Sequence, residues 1–439
     1  MVRLVGVAVF GDAMAKEIEF HEVRRLVAFW HTQGLPLKDI TREQAARWLT
    51  MAAAVAILFS IAVAQVLMGL AIVAVAYARL PVRWPYRLPL AAFFAGTLLA
   101  IALSPDPAGG WPQVKKFFVY LMLPLLATTL RDTGDARRLM HYCLGAGVLS
   151  SLWSFVQFGR RWLEADTLHV DFYRHYVAQR TTGFMSHWQT FGGQMMMLFA
   201  VALALLLFAP IRHRKLHRNL HRNLLCAALS VLVTAILMNE TRSNWIGTAL
   251  AAVYLVAKAR PRLIWTLPLM FGALMLVPPV RDRAISIVAP HGEVDSNQHR
   301  VVTWRTGLAM VRAHPWFGLG PEQIKKQFDS YVPADIPRPL PEGWYGHLHN
   351  NYLQYAADRG IPTALCLCWF LWAMVSQWWQ RAQQSVGDTR AGLEAAVAAW
   401  LGVVVSGFFE WNLSNTEVLH LFLVISAAAS VTRGKCYGR

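Results

Sequence analysis

The run WLTMAAAVAILFSIAVAQVLMGLAIVAVAY, from Trp48 to Tyr77, carries no charged residue. About 20 helical residues cross the hydrocarbon of a bilayer, so this run is too long for one span. It reads as two spans joined by a tight hairpin near Gln65. Working outward from it, further apolar blocks recur along the chain. Twelve spans are expected, at approximately 47–63, 65–79, 88–103, 116–130, 138–158, 190–209, 223–238, 243–257, 262–279, 362–380, 391–410 and 415–432. The chain is therefore predicted to be an all-α polytopic membrane protein.

Composition agrees with this reading. Of 439 residues, 56% are hydrophobic and 15% charged, where a soluble domain carries about a quarter charged. The net charge of +17 lies in short connections between apolar blocks, where membrane topology places it. That distribution argues against nucleic acid and implies membrane lipids as surroundings. Of five cysteines, four fall inside apolar blocks and Cys436 lies in the tail, so no disulfide framework is expected. Cys366 and Cys368 are two apart and point to different sides of a helix.

Arginine and lysine in short loops set the orientation. One side gathers Arg79, Arg83 and Arg87; Arg131, Arg137 and Arg138; Arg212, Arg214, Lys215, Arg218 and Arg222; Lys258, Arg260 and Arg262; and Arg381 and Arg390. The opposite short loops hold Lys115, Lys116 and Arg242. The first side is predicted to be cytoplasmic, with both termini. The organisation is then a cytoplasmic segment 1–46, spans one to nine over 47–279, a large outward loop 280–361, spans ten to twelve over 362–432, and a cytoplasmic tail 433–439. A second outward loop covers about 159–189. The first segment lacks the apolar core and cleavage site of a signal peptide, and Val23–Trp30 has the pattern of a surface helix.

An ionisable residue in or beside a bilayer is costly and is a functional candidate by default. Four outward segments qualify. Gln179-Arg180-Thr-Thr-Gly183-Phe-Met-Ser-His187 leads into the sixth span, and Gly183 permits a close backbone approach to a ligand. Asn239-Glu240-Thr-Arg242-Ser-Asn-Trp245 is a tight turn, with Arg242 read as an anion ligand. In the helical stretch Asn297–Arg312, Arg300 shares a face with Trp304, Leu308 and Val311, while Arg305 and Arg312 look solvated. A cation near a helix N-terminus opposes the helix dipole, but a bound phosphate gains from arginine and backbone N–H groups together. This stretch is followed by His314-Pro-Trp-Phe-Gly318-Leu-Gly320.

The fourth segment is Tyr345-Gly-His347-Leu-His349-Asn350-Asn-Tyr-Leu-Gln354. It opens a short helix that Gly360 and Pro362 interrupt. No D-x-D, H-E-x-x-H or Cys/His cluster completes a metal site around the two histidines. The acidic pairs Glu164/Asp166 and Glu293/Asp295 read as solvated. An imidazole at a helix N-terminus is instead suited to accept a proton, since the positive dipole end disfavours imidazolium. No metal or cofactor is called for.

Together these segments resemble the O-antigen ligases (WaaL type), with the related O-antigen polymerases (Wzy type) and bacterial O-linked oligosaccharyltransferases. The residues that carry the resemblance are Arg180-Thr-Thr-Gly-Phe, Thr241-Arg242-Ser243, Arg300 with Trp304 and His314–Gly320, and above all His349-Asn350 followed after nine residues by Gly360-Ile-Pro-Thr363. Thr363 stands where the family has a second glycine. The resemblance covers roughly residues 45–432. It implies a GT-C-like multi-span glycosyltransferase of the inner membrane with a large helical periplasmic loop between spans nine and ten. The donor would be a glycan on undecaprenyl diphosphate and the acceptor a sugar hydroxyl of lipid A–core, with inversion at the anomeric carbon. His349 would be the catalytic base; Arg180, Arg242 and Arg300 would bind the diphosphate. Asn350, His347, Glu410 and Asn415 would support them, and Asn412 is a weaker candidate for a sugar contact. A polymerase or protein O-glycosylating enzyme would use the same donor. A transporter would need internal repeats and charges deep in several spans, and neither is evident.

Overall fold

The computed structural model of the protein describes residues 41–209, 215–285 and 296–431. The surface helix expected at Val23–Trp30, Arg212 and Arg214, the Glu293/Asp295 pair and the tail 433–439 lie outside the described residues. Every regular element described is helical: α1 Arg42–Ala56, α2 Ile61–Tyr77, α3 Arg87–Ala102, α4 Pro107–Lys115, α5 Phe117–Tyr120, α6 Met122–Thr129, α7 Thr133–Thr167, α8 Phe172–Ala178, α9 Trp188–Phe208, α10 Lys215–Met238, α11 Arg242–Ala259, α12 Thr266–Leu274, α13 Pro278–Ile285, α14 Ser296–Ala313, α15 Ile324–Tyr331, α16 Asn351–Gln383, α17 Gly387–Ser406 and α18 Thr416–Val431. Short 3-10 turns at Pro261–Trp265 and Asn412–Ser414 complete them. By length and composition, α7, α9, α10 from Asn219, α16 and α17 are long and apolar enough to cross a membrane. α2, α3 and α18 are shorter apolar helices.

The opening run does divide in two, but not at Gln65. Helix α1 ends at Ala56 and Ser60 caps α2, its hydroxyl accepting from the Val63 N–H, so the break is Ile57–Ser60 and Gln65 lies within α2. A serine hydroxyl that can cap a new helix outcompetes a glutamine mid-run. Over 107–129 the chain forms three short helices, α4 to α6, where one span was expected at 116–130; Pro107 opens α4, and Pro112 and Pro124 each remove a ladder N–H. Over 261–279 it forms a 3-10 turn and the nine-residue α12. In contrast, α7 extends to Thr167 and takes up the start of the loop expected at 159–189.

Helix α9 is the centre. Its side chains from Thr190 to Ala202 are buried without interruption, the pattern of a helix surrounded on all sides. It packs against α7, α10, α11, α17 and α18. Helices α11 and α17 approach closely because Gly247 faces the Gly402 backbone and the Met196 sulfur, leaving no room for a Cβ. Small residues at such crossings let backbones approach in helical membrane proteins.

Helix α16 breaks at Gly360, which has φ 80° and ψ 160°. The broken ladder is repaired by the turn segment after α14. The Ile361 N–H donates to the Pro315 carbonyl, and the Ala357 and Asp358 carbonyls accept from the Leu319 and Gly320 N–H groups, at 2.8, 2.8 and 3.0 Å. A Cβ at Gly360 would collide with the Trp316 carbonyl, so glycine is required both for its dihedral angles and for space. Thr363 packs its side chain against Gly96 of α3, and the helix break exists without a second glycine. The His314–Gly320 motif is thus the strap that holds the kink.

Candidate active site

The N-terminal ends of α9, α11 and α14 converge with the segments 179–187, 345–350 and 407–415. At their meeting point is Glu410, 5% exposed, in the turn between α17 and α18. Its Oε1 accepts from Arg300 Nη2 at 2.7 Å and from Ser243 Oγ at 3.5 Å. Its Oε2 accepts from Gln189 Nε2 and lies 3.5 Å from His349 Nδ1. Burial pushes this carboxyl up, but Arg300 and His349 outweigh it and hold it at about 2. Glu410 is therefore a fixed anion that orients both an arginine and an imidazole.

His349 has a left-handed backbone, φ 49°, immediately before the cap of α16. Asn350 is that cap: its Oδ1 accepts from the Leu353 N–H and its Nδ2 donates to the Phe408 carbonyl. Its role here is to start the helix and to tie it to the Glu410 turn. With Nδ1 on Glu410, His349 Nε2 remains buried with no hydrogen-bond partner. His347 packs its ring 4.1 Å from that of His349 and accepts the His349 N–H through Nδ1 at 3.4 Å. Burial and then the neighbouring His349 push its pKa down to about 3.

The three expected arginines reach this place from different elements. Arg300 is the fifth residue of α14 and also donates to the Phe409 carbonyl. Arg242, at the first turn of α11 and 7% exposed, donates to Asn297 Oδ1 at 2.9 Å. Arg180 lies over the Trp188 ring, 4.9 Å from its centroid, and is pushed down to about 10 by burial, then by Arg283, with Glu240 and Glu410 opposing. Arg305 pairs with Asp335 at the surface, and Arg312 is exposed, as their helix face predicts.

Several expectations change. Gly183 does adopt a left-handed φ of 57°, but its close neighbours are Ser150 and Phe191 of this chain, and Gln157 bonds its N–H and carbonyl. Asn412 holds the local turn through Asn351, Val403 and Ser406. Asn415 donates to Thr190 Oγ1 and leaves Oδ1 buried without a partner. Glu164 is engaged by Arg161 and His175. His314 bonds the Tyr331 hydroxyl at 2.7 Å.

Sequence reasoning missed Arg283, His299 and Gln189. Arg283, on α13, donates to the Glu240 carbonyl and the Tyr173 hydroxyl. Nothing in its surroundings in the sequence singles it out. His299 precedes Arg300, and its ring stands edge to face with that of His349, centroids 5.0 Å apart. Gln189 was marked only by being polar at the head of an apolar helix. Glu240, left-handed at φ 52°, is raised to about 7 by burial, against the pull of Arg283 and Arg180.

Fold and cluster together define a helical membrane protein with a buried, positively charged site built around one imidazole–carboxylate pair. Residues 225–368, about a third of the chain, match the family model described as O-antigen ligase. The matched segment contains Arg242, Arg300 and His349. No curated protein matches the chain.

Proposed function

We propose that the protein is an O-antigen ligase that transfers a glycan from undecaprenyl diphosphate to a sugar hydroxyl of lipid A–core on the periplasmic face of the inner membrane, with both termini cytoplasmic. The observation that carries this reading is the carboxylate–imidazole pair: Glu410 engages His349 Nδ1 and leaves Nε2 open, while the same carboxylate fixes Arg300. The 3.5 Å separation is long for a hydrogen bond, and such contacts tighten when substrate arrives.

In the reaction, His349 Nε2 takes the proton of the acceptor hydroxyl. The oxygen attacks the anomeric carbon from the side opposite the diphosphate, the bond to the diphosphate oxygen breaks, and the electron pair stays on that oxygen. The configuration inverts. Glu410 stabilises the imidazolium as it forms. Arg180, Arg242 and Arg300 supply positive charge where the leaving group gains negative charge, with a fork geometry suited to phosphate oxygens. His347 packs beside the base, and Asn415 lines the same turn.

The test replaces His349 with Ala in an O-antigen-producing cell at normal protein level. The expected result is loss of the long-chain lipopolysaccharide ladder with undecaprenyl-linked polymer accumulating. A single repeat remaining on the core would make the protein a polymerase. An intact ladder would remove His349 from the chemistry.

A further inference from the structure

His299 is unusual among the buried side chains at the site. It is 4% exposed, on the first turns of α14, and enclosed by the Tyr345 ring at 4.5 Å, the His349 ring at 5.0 Å and the backbone of Gly343. One ring nitrogen bonds the Trp344 backbone in the sense that favours a protonated ring, as donation to a carbonyl does. Nε2 is buried and has no partner. A donation from Nδ1 fixes the tautomer, so Nε2 carries a lone pair.

His349 presents the same arrangement. Its Nδ1 faces Glu410 and its Nε2 is equally buried and unpartnered. A buried acceptor without a donor is costly, and native structures keep few of them. Two such acceptors on neighbouring rings call for a ligand that brings two donors. Charge selects the kind of donor. Burial, then His349, pushes the His299 pKa down to about 4, so at neutral pH it accepts and does not attract an anion. Hydroxyl groups fit; phosphate oxygens, which lack protons to give, belong with the arginines.

We propose that His299 binds the acceptor: its Nε2 accepts a hydrogen bond from the hydroxyl adjacent to the one His349 deprotonates, so the site selects a sugar with two neighbouring free hydroxyls. This rests on the glycosyl-transfer reading above and adds to it the class of acceptor. The attacking oxygen alone gives a rotating acceptor; a second anchored hydroxyl fixes which face of it meets the anomeric carbon. His299 is thus a binding residue, and its contribution is to acceptor affinity and selectivity.

The experiment uses the full-length protein in lipid nanodiscs with undecaprenyl-diphosphate-linked glycan as donor. The acceptors are lipid A–core, octyl glucoside and the monodeoxy octyl glucosides. The variants are His299→Phe and His299→Asn, the second retaining an acceptor oxygen. Wild type is expected to disfavour one monodeoxy glucoside by about fivefold to tenfold, the worth of one neutral hydrogen bond. His299→Phe should raise the KM for octyl glucoside by the same factor, lose the discrimination and leave the donor KM unchanged. His299→Asn should restore part of the discrimination. If His299→Phe discriminates as wild type does, or if donor and acceptor KM move together in both variants, the inference is overturned. If wild type binds undecaprenyl diphosphate but glycosylates no acceptor, the ligase reading itself fails and this inference falls with it.

Discussion

Two buried carboxylates, Asp135 and Glu410, each gather arginines, and they differ in what is left over. Asp135, on the first turn of α7, accepts from Arg131 at 3.0 Å and from Arg138 at 2.5 Å, with Arg47 at 3.8 Å. Its own N–H is capped by Asp132. Every neighbour is a cation or a cap, and the cluster closes on itself. Glu410 is shared by an arginine, a hydroxyl, an amide and an imidazole, and that imidazole keeps a buried nitrogen with no partner. Gln157, which touches the Arg180 loop through Gly183, lies on α7 22 residues after Asp135, about 33 Å along the helix at 1.5 Å per residue. The Asp135 cluster and the Arg180 loop are therefore separated by most of the length of α7. A carboxylate whose partners are all satisfied holds helices together, whereas one whose partner has capacity to spare is set up for chemistry.

Substitution at each carboxylate sharpens the contrast. In the proposed reaction Glu410→Gln removes the charge that supports a forming imidazolium, together with the ion pair to Arg300. Transfer should fall by about a hundredfold or more in kcat, in the range seen when one preorganised electrostatic partner is lost, with donor still bound. A transfer rate within a few-fold of wild type would reduce Glu410 to a structural group. Asp135→Asn should do the reverse. It should cost on the order of 2 kcal/mol of stability, less than for a fully buried pair because Arg131 and Arg138 are half exposed. Transfer per folded molecule should not change, and thermal unfolding alongside activity separates the two effects. A loss of activity without a loss of stability would make the two clusters equivalent.

The smallest effect concerns pH. Burial raises Glu240 to about 7, with Arg283 and Arg180 opposing. Below that pH the carboxyl is neutral and the arginines face a diphosphate undiluted; above it a carboxylate competes. Donor affinity should therefore decline by a few-fold as pH rises through 7. Because the folded value exceeds the ordinary carboxyl value of 4.5, the associated stability is complete below 4.5 and is lost as pH rises through 7. Glu240→Gln should flatten the titration of donor binding measured with undecaprenyl diphosphate. A profile that keeps its slope in that variant would assign it to another group.

Much of the helical scheme was legible because long uncharged runs have few alternatives. The arginines at 180, 242 and 300 and the histidine at 349 stood out because each is an ionisable group beside apolar sequence. The roles of their neighbours were less legible. Glu410 reads in the sequence only as a supporting residue, since its partners lie 61 to 221 positions away and distance in sequence hides convergence. His314–Gly320 reads like part of a reactive site, yet it repairs the ladder broken at Gly360. That exchange of hydrogen bonds depends on a tertiary pairing that no local pattern encodes. The hairpin in the opening run moved from Gln65 to Ile57–Ser60 because a capping serine, not a polar residue in general, ends one helix and starts another.

The central claim is that His349 acts on the acceptor while the arginines hold the donor, two functions that one measurement can separate. With purified His349→Ala in nanodiscs, binding of undecaprenyl diphosphate and single-turnover glycan transfer to lipid A–core are followed on the same preparation. The account predicts donor affinity close to wild type with transfer slowed about a thousandfold, within the range attributed to general-base catalysis. Transfer at an undiminished rate, or donor binding lost in parallel with transfer, would contradict it.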